Sequence, residues 1–209
     1  MKIILSKIII AIAIFISLTL SANALKLEEN NSYSGTIKDN HRNNIPLPPG
    51  EWLLTEIKNT KLKGRGVTAG IVDYYFNNPS IGNVYYFGPT GTSASGDHWS
   101  GGKTPSLCND SKSIAGKTKI SGINNSEWCV FDDGQYIEFR NFTALNFEQY
   151  KLQYFVKKNL LKDTSKVSLQ SIGQRIFDQV KRNKSGDISF LSNFLDFNKS
   201  PSQTLSKDS

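Results

Sequence analysis

Residues 127–139 alternate apolar and polar side chains around an Asp-Gly pair: Glu127-Trp128-Cys129-Val130-Phe131, then Asp133-Gly134, then Gln135-Tyr136-Ile137-Glu138-Phe139. Alternation at period two sends every second side chain to one face of a strand. Asp-Gly suits a two-residue type I′ turn, in which both central residues need positive φ. The spacing therefore predicts a hairpin with Val130 opposite Ile137 and Trp128 opposite Phe139 on an apolar face. Phe131, Cys129 and Glu127 then meet Tyr136, Glu138 and Arg140 on a mixed face, the last as a cross-strand ion pair.

Upstream, the rigid turn Leu47-Pro48-Pro49-Gly50 delivers the chain into a strand at Glu51–Ile57. Val67–Phe76 and Asn83–Phe87 are rich in β-branched and aromatic residues and read as two further strands. A turn at Lys63–Gly66 and a loop over 77–82 bound the first of them. Alternation places Tyr74 and Phe76 on one side of the sheet. It groups Tyr75 and Tyr86, with Asp73 and Val84, on the other. Residues 88–126 are rich in Gly, Ser, Thr, Asn and Lys and read as a long excursion, with a short strand near Lys117–Ile120.

After Thr143 the period changes. Leu152, Phe155, Val156 and Leu160 fit one helical face, while Tyr150, Leu152, Tyr154 and Val156 also alternate as a strand. The helical reading of 150–161 is preferred, with the strand as its alternative. Leu169, Ile172, Ile176, Phe177 and Val180 predict a helix, N-capped by Ser168 and ending in Lys181 and Arg182. Phe190, Leu191, Phe194 and Leu195 suggest a short third helix. Strands first and helices afterwards indicate an α+β fold: an antiparallel β-sheet of about five strands, followed by two or three C-terminal helices packed on it.

The ends of the chain have a different character. Lys2 and Lys7, the apolar run Ile8–Leu20 and the small-x-small site Ala22-Asn23-Ala24 have the form of a secretory signal peptide over residues 1–24. Residues 25–45 are polar and Asn-rich and read as a disordered arm. Residues 46–197 are expected to form a single domain, and 198–209 a polar tail.

Composition adds a compartment and a charge asymmetry. The chain carries a net charge of +7. Residues 25–150 are nearly balanced, and the positive surplus lies in 151–209. A basic C-terminal third would face an anionic envelope surface or another envelope protein, or lie simply as a solvated helix surface. Its cations are not interleaved with stacking aromatics in a nucleic-acid module, so no nucleic-acid partner is expected. The two cysteines, Cys108 and Cys129, form an even pair. In an oxidising compartment such a pair reads as a disulfide. Two cysteines with His41 and His98 make a poor zinc set, so no metal is expected.

Each candidate for chemistry has a plainer reading beside it. Gly96–Thr104 ends in Gly-Lys-Thr, but Asp97 stands where a phosphate loop needs its first Gly, so no nucleotide or other cofactor is expected. Gly91-Thr92-Ser93-Ala94-Ser95 lacks the final Gly of a nucleophile elbow. Were the chain a hydrolase, Ser93 or Ser95 would be the nucleophile, with His98 as base and Asp97 as its orienter, all within the Gly91–Thr104 loop. A polar surface loop explains the same residues. Asp132-Asp133 is accounted for by its turn and lacks the ligand spacing of a calcium loop. The aromatics leave Tyr75 and Tyr86, with Trp99 and Lys103 of the loop above them, as a contact surface. The resulting expectation is an exported, non-enzymatic binding or envelope-associated domain, periplasmic or extracellular after cleavage near Ala24, with a hydrolase using His98 as the alternative.

Overall fold

The computed structural model describes residues 26–64, 67–90, 108, 112–121, 124–145, 148–180 and 186–199. Ten strands and one α-helix lie within them. The strands are β1 (Ser32–Tyr33), β2 (Thr36–Lys38), β3 (Asn44–Pro46), β4 (Trp52–Gly64), β5 (Val67–Asn78), β6 (Gly82–Pro89), β7 (Ser113–Ser121), β8 (Asn124–Asp132), β9 (Tyr136–Leu145) and β10 (Glu148–Lys157). The helix, α1, spans Lys166–Val180. Eight strands form one antiparallel sheet in the order β1-β4-β5-β6-β10-β9-β8-β7, and β2 pairs with β3 in a separate hairpin.

This corrects the expected five strands and two or three helices. The fold is mostly β, with a single α-helix among the described residues. The largest error is at 150–157, where the preferred helix is instead strand β10, bonded to both β6 and β9. Leu152, Tyr154 and Val156 are buried on one face, and Phe155 belongs to the other. One apolar residue of the other parity, Phe155, falls in line with Leu152, Val156 and Leu160. That mixture imitates helical spacing. At 190–195 short 3₁₀ turns replace the expected third helix. The helix predicted from Leu169 to Val180 is present, but its cap is Ser165, whose Oγ accepts from Ser168 N at 3.3 Å.

The stretch 25–45, expected as a disordered arm, carries β1, β2 and β3. Ile45 and Asp39 within it are fully buried. Asp39 organises the β2–β3 turn. Its Oδ1 accepts from the backbone N–H groups of His41 (2.9 Å) and Asn43 (2.7 Å), and its Oδ2 from Asn43 Nδ2 (2.9 Å) and the Tyr74 hydroxyl (2.9 Å). The segment's apolar residues are few and scattered, yet Leu27, Ile37 and Ile45 are buried in the core, and the satisfied Asp39 carboxylate pins the turn between β2 and β3, which composition does not reveal.

The β8–β9 hairpin forms with a slipped register. Val130 lies opposite Phe139 and Trp128 opposite Asn141. Glu127 consequently faces Phe142, and Arg140 faces Cys129. The turn is centred one residue later than predicted: Asp133 N donates to Tyr136 O, and Gly134 has φ +93°. Asp133 Oδ1 accepts from Gln135 N and Tyr136 N, and Asp132 Oδ1 from Gly134 N. These side-chain bonds stabilise the alternative turn. The pairing moves by two residues, so each side chain keeps its predicted face.

One face of the sheet is the core side. Trp52, Leu54, Val72, Tyr74, Phe76, Trp128, Val130, Ile137, Phe139, Tyr154 and Val156 are buried there. Leu169, Ile172 and Ile176 of α1 belong to the same core, with the helix lying over β7, β8 and β9. Burying this surface supplies the main drive for the fold. Trp52 Nε1 donates to Pro48 O at 2.8 Å, which anchors the Pro-Pro turn to β4.

Candidate functional site

The opposite face of the sheet has no α-helix over it among the described residues. Cross-strand pairing fixes what it presents. Tyr74 lies opposite Tyr86, and Tyr75 opposite Tyr85. Tyr86 is therefore a core residue, 2% exposed. The predicted grouping of Tyr75 with Tyr86 fails by one residue of register, and a one-residue slip exchanges faces. Tyr85, missed in the sequence, takes that place. The echo of Tyr-Tyr-Phe in two strands was the available signal, but only the pairing shows which tyrosines share a side.

Tyr75 and Tyr85 are half-buried, with ring centroids 5.0 Å apart and planes tilted by 38°. Lys58 Nζ lies 4.9 Å over the Tyr75 ring and Lys151 Nζ 5.1 Å over the Tyr85 ring. Each ammonium sits against the electron-rich face of a ring. The Tyr85 hydroxyl donates to Asp73 Oδ1 at 2.6 Å. Burial, then that bond to the Asp73 carboxylate, pushes the Tyr85 hydroxyl well above its ordinary range. Burial and the Asp73 charge raise Tyr75 in the same direction. Both are neutral donors under physiological conditions.

A second cluster continues along β9 and β10. Arg140 makes a two-point bond to Glu138, Nε to Oε1 at 2.7 Å and Nη2 to Oε2 at 2.9 Å. Gln153 Nε2 donates to the same Glu138 Oε1. The Arg140 guanidinium lies 4.4 Å from the centroid of Phe131. Burial, reinforced by the nearby Arg140 charge, lowers the Lys151 ammonium from its ordinary value. Lys58 is held by Glu56 at 2.9 Å. The face therefore offers aromatic surface framed by hydrogen-bonding charges that are largely paired with one another.

The remaining sequence candidates have different fates. Cys108 and Cys129 are joined in a disulfide, with Cα atoms 5.5 Å apart. Cys129 is fully buried. Ser93, Ser95, Asp97, His98, Trp99 and Lys103 lie outside the described residues. His41 stands at the β2–β3 turn. No group of three or more His, Cys, Asp or Glu side chains suited to a metal occurs among the described residues. No described helix is long and apolar enough to cross a membrane.

Several described cations of the basic C-terminal third make local bonds. Lys158 Nζ pairs with Asp132 at 2.7 Å, Lys157 Nζ donates to Pro79 O, and Lys162 Nζ to Asn193 O. Arg175 stacks 4.1 Å from the Phe190 centroid and 5.5 Å from that of Phe194. Lys181, Arg182 and Lys184 lie outside the described residues. No protein-family model, curated protein or solved structure matches the chain.

Proposed function

We propose that the protein is an exported, non-enzymatic binding domain, and that its contact face is the side of the sheet bearing Tyr75 and Tyr85. The partner that suits this face is a neutral, hydroxyl-rich chain of the cell envelope, a saccharide. The observation carrying this reading is the half-buried Tyr75–Tyr85 pair, framed by Lys58, Lys151 and Asp73. Sugar C–H groups pack on tyrosine rings, and sugar hydroxyls both donate and accept. They can therefore bond to carboxylates, ammonium groups and phenols without a net charge on either side. Pairing of Lys58 with Glu56 and of Arg140 with Glu138 leaves little net field to select a highly charged partner.

Export is supported by the sequence of residues 1–24 and is compatible with the Cys108–Cys129 disulfide. A cleaved chain beginning at Leu25, read by mass from the envelope or medium, is the expected product. Intact chain confined to the cytosol with free thiols refutes it.

Titration with cello-oligosaccharides, followed by calorimetry, tests the contact face. Saturable binding is expected. The double substitution Tyr75→Ala/Tyr85→Ala should weaken it by roughly tenfold or more. Absence of saccharide binding, combined with salt-sensitive co-sedimentation on phosphatidylglycerol vesicles, would replace the saccharide by an anionic surface.

A further inference from the structure

Two separate elements roof the apolar face of the sheet. α1 lies over β7, β8 and β9. The β2–β3 hairpin is bonded across β5, β6 and β10, through Asp39 to Tyr74, Asn43 Nδ2 to Pro89 O, and the Tyr154 hydroxyl to Pro46 O. A pocket opens where these two roofs adjoin. Its walls include Asn44 and Pro46 of β3, Val180 at the end of α1, and Tyr86, Asn141 and Leu152 of the sheet. Its cavity volume is about 20 Å³. That is room for about one water-sized group, so a larger occupant inserts only its polar edge and keeps the rest in the open mouth.

Asn141 is the unusual residue here. It sits on the core side of β9, opposite Trp128 on β8 and Leu152 on β10. It is 3% exposed, and among the described residues no group bonds to its Nδ2 or its Oδ1. Buried side-chain amides are ordinarily satisfied, because an unmatched donor or acceptor keeps its full desolvation cost. An apolar residue would pack against Leu152 without that cost. The amide therefore points to an occupant of the pocket that supplies what the fold does not.

The missing partners define that occupant. It must present an acceptor to Nδ2 and a donor to Oδ1, side by side. A carboxylate has no donor and an ammonium has no acceptor. Charge is also disfavoured, because the wall side chains named are neutral. Lys151 borders the pocket, but its ammonium lies over the Tyr85 ring on the opposite face. A primary carboxamide has a carbonyl and a syn N–H in the required arrangement. Pro46, Leu152 and Val180 suit the short apolar stem behind it.

We propose that the seam between α1 and the β2–β3 hairpin is a binding pocket for a small neutral primary amide, paired edge to edge with Asn141. This site is independent of the Tyr75–Tyr85 face and stands or falls separately from it.

The test is nuclear magnetic resonance on the full, disulfide-bonded, ¹⁵N-labelled chain, titrated with propionamide. The Asn141 side-chain amide and the backbone amides of Thr143 and Val180 should shift saturably. Acetate and trans N-methylacetamide, which lacks an N–H beside its carbonyl, should not reproduce this. Asn141→Leu should weaken propionamide binding by roughly tenfold or more, the equivalent of losing at least one hydrogen bond. Val180→Trp, which blocks the mouth without touching the buried amide, should do the same and serves if Asn141→Leu does not fold. The proposal is overturned if propionamide gives no saturable shift, or if acetate and N-methylacetamide act equally well. It is also overturned if Asn141 keeps a cross-peak to a resident water at saturating propionamide.

Discussion

Gly173 of α1 lies directly against the indole of Trp128 on β8: a Cβ at Gly173 would come within 2.7 Å of Cζ3 and 2.9 Å of Cε3. Val130 Cγ2 would be 3.0 Å away. The contact sets how closely the helix approaches the sheet, and Trp128 Nε1 reinforces it by donating to Gln174 Oε1 at 3.2 Å. Alanine at 173 would favour the helix by about 1 kcal/mol, yet overpacking a filled core costs about 1–3 kcal/mol. Gly173→Ala should therefore lower stability, by up to about 2 kcal/mol, in urea unfolding. A rise would show that the helix adjusts freely over Trp128.

Asp39 holds the β2–β3 hairpin to β5 through the Tyr74 hydroxyl. Asp39→Ala strips partners from two backbone N–H groups, Asn43 Nδ2 and Tyr74 at once. It should cost about 3 kcal/mol or more, whereas Tyr74→Phe should cost only about 1–2 kcal/mol. Equal losses in the two variants, measured by denaturant midpoints, would contradict the central role given to the carboxylate.

The Lys158 ammonium, then the Gly134 N–H, holds the Asp132 carboxyl below its ordinary value of 3.8. A depressed native pKa means that this pair contributes its full stability above the ordinary carboxylate range. The contribution is lost as pH falls through the native value. Asp132 is partly solvated, so its worth is about 0.5 kcal/mol. Thermal unfolding of wild type and Asp132→Asn should differ at pH 6 and converge in strong acid, once the native carboxylate is protonated. A difference that persists in strong acid would assign the effect to turn geometry.

Closing the loop between Cys108 and Cys129, 21 residues apart, should stabilise the fold by about 3 kcal/mol in the chain-entropy model. Cys108→Ala/Cys129→Ala should lower the urea midpoint accordingly, with the strand content retained by circular dichroism. An unchanged midpoint would mean that other contacts already constrain the unfolded loop.

Strand character at Glu51–Ile57, Val67–Phe76, Asn83–Phe87 and 127–139 was legible locally, because alternation is a property of neighbouring residues. The helix carrying Leu169, Ile172 and Ile176 was legible for the same reason. Pairing was not. The β8–β9 slip of two residues left the faces of Trp128 and Val130 unchanged, so that error was harmless. The β5–β6 register mattered, because one residue decided that Tyr85, and not Tyr86, joins Tyr75. Asp39 was invisible as an organiser because its bond to Tyr74 spans 35 residues. Asn141 gave no sign at all, since an amide in a strand becomes unusual only once both of its faces are known.

The chain alone determined that it would build an antiparallel sheet, where the apolar stripes of its β4, β5, β8 and β9 segments would run and which two sulfurs would join. Those follow from residue size, alternation and composition. Tertiary structure decided that 150–157 would be a strand at the middle of the sheet, bonded to the neighbouring β9 and to the distant β6. It also decided which tyrosines would share a face and that Asn141 would line a seam between two roofs. Such outcomes depend on long-range pairing, whose energy is shared among segments far apart in sequence.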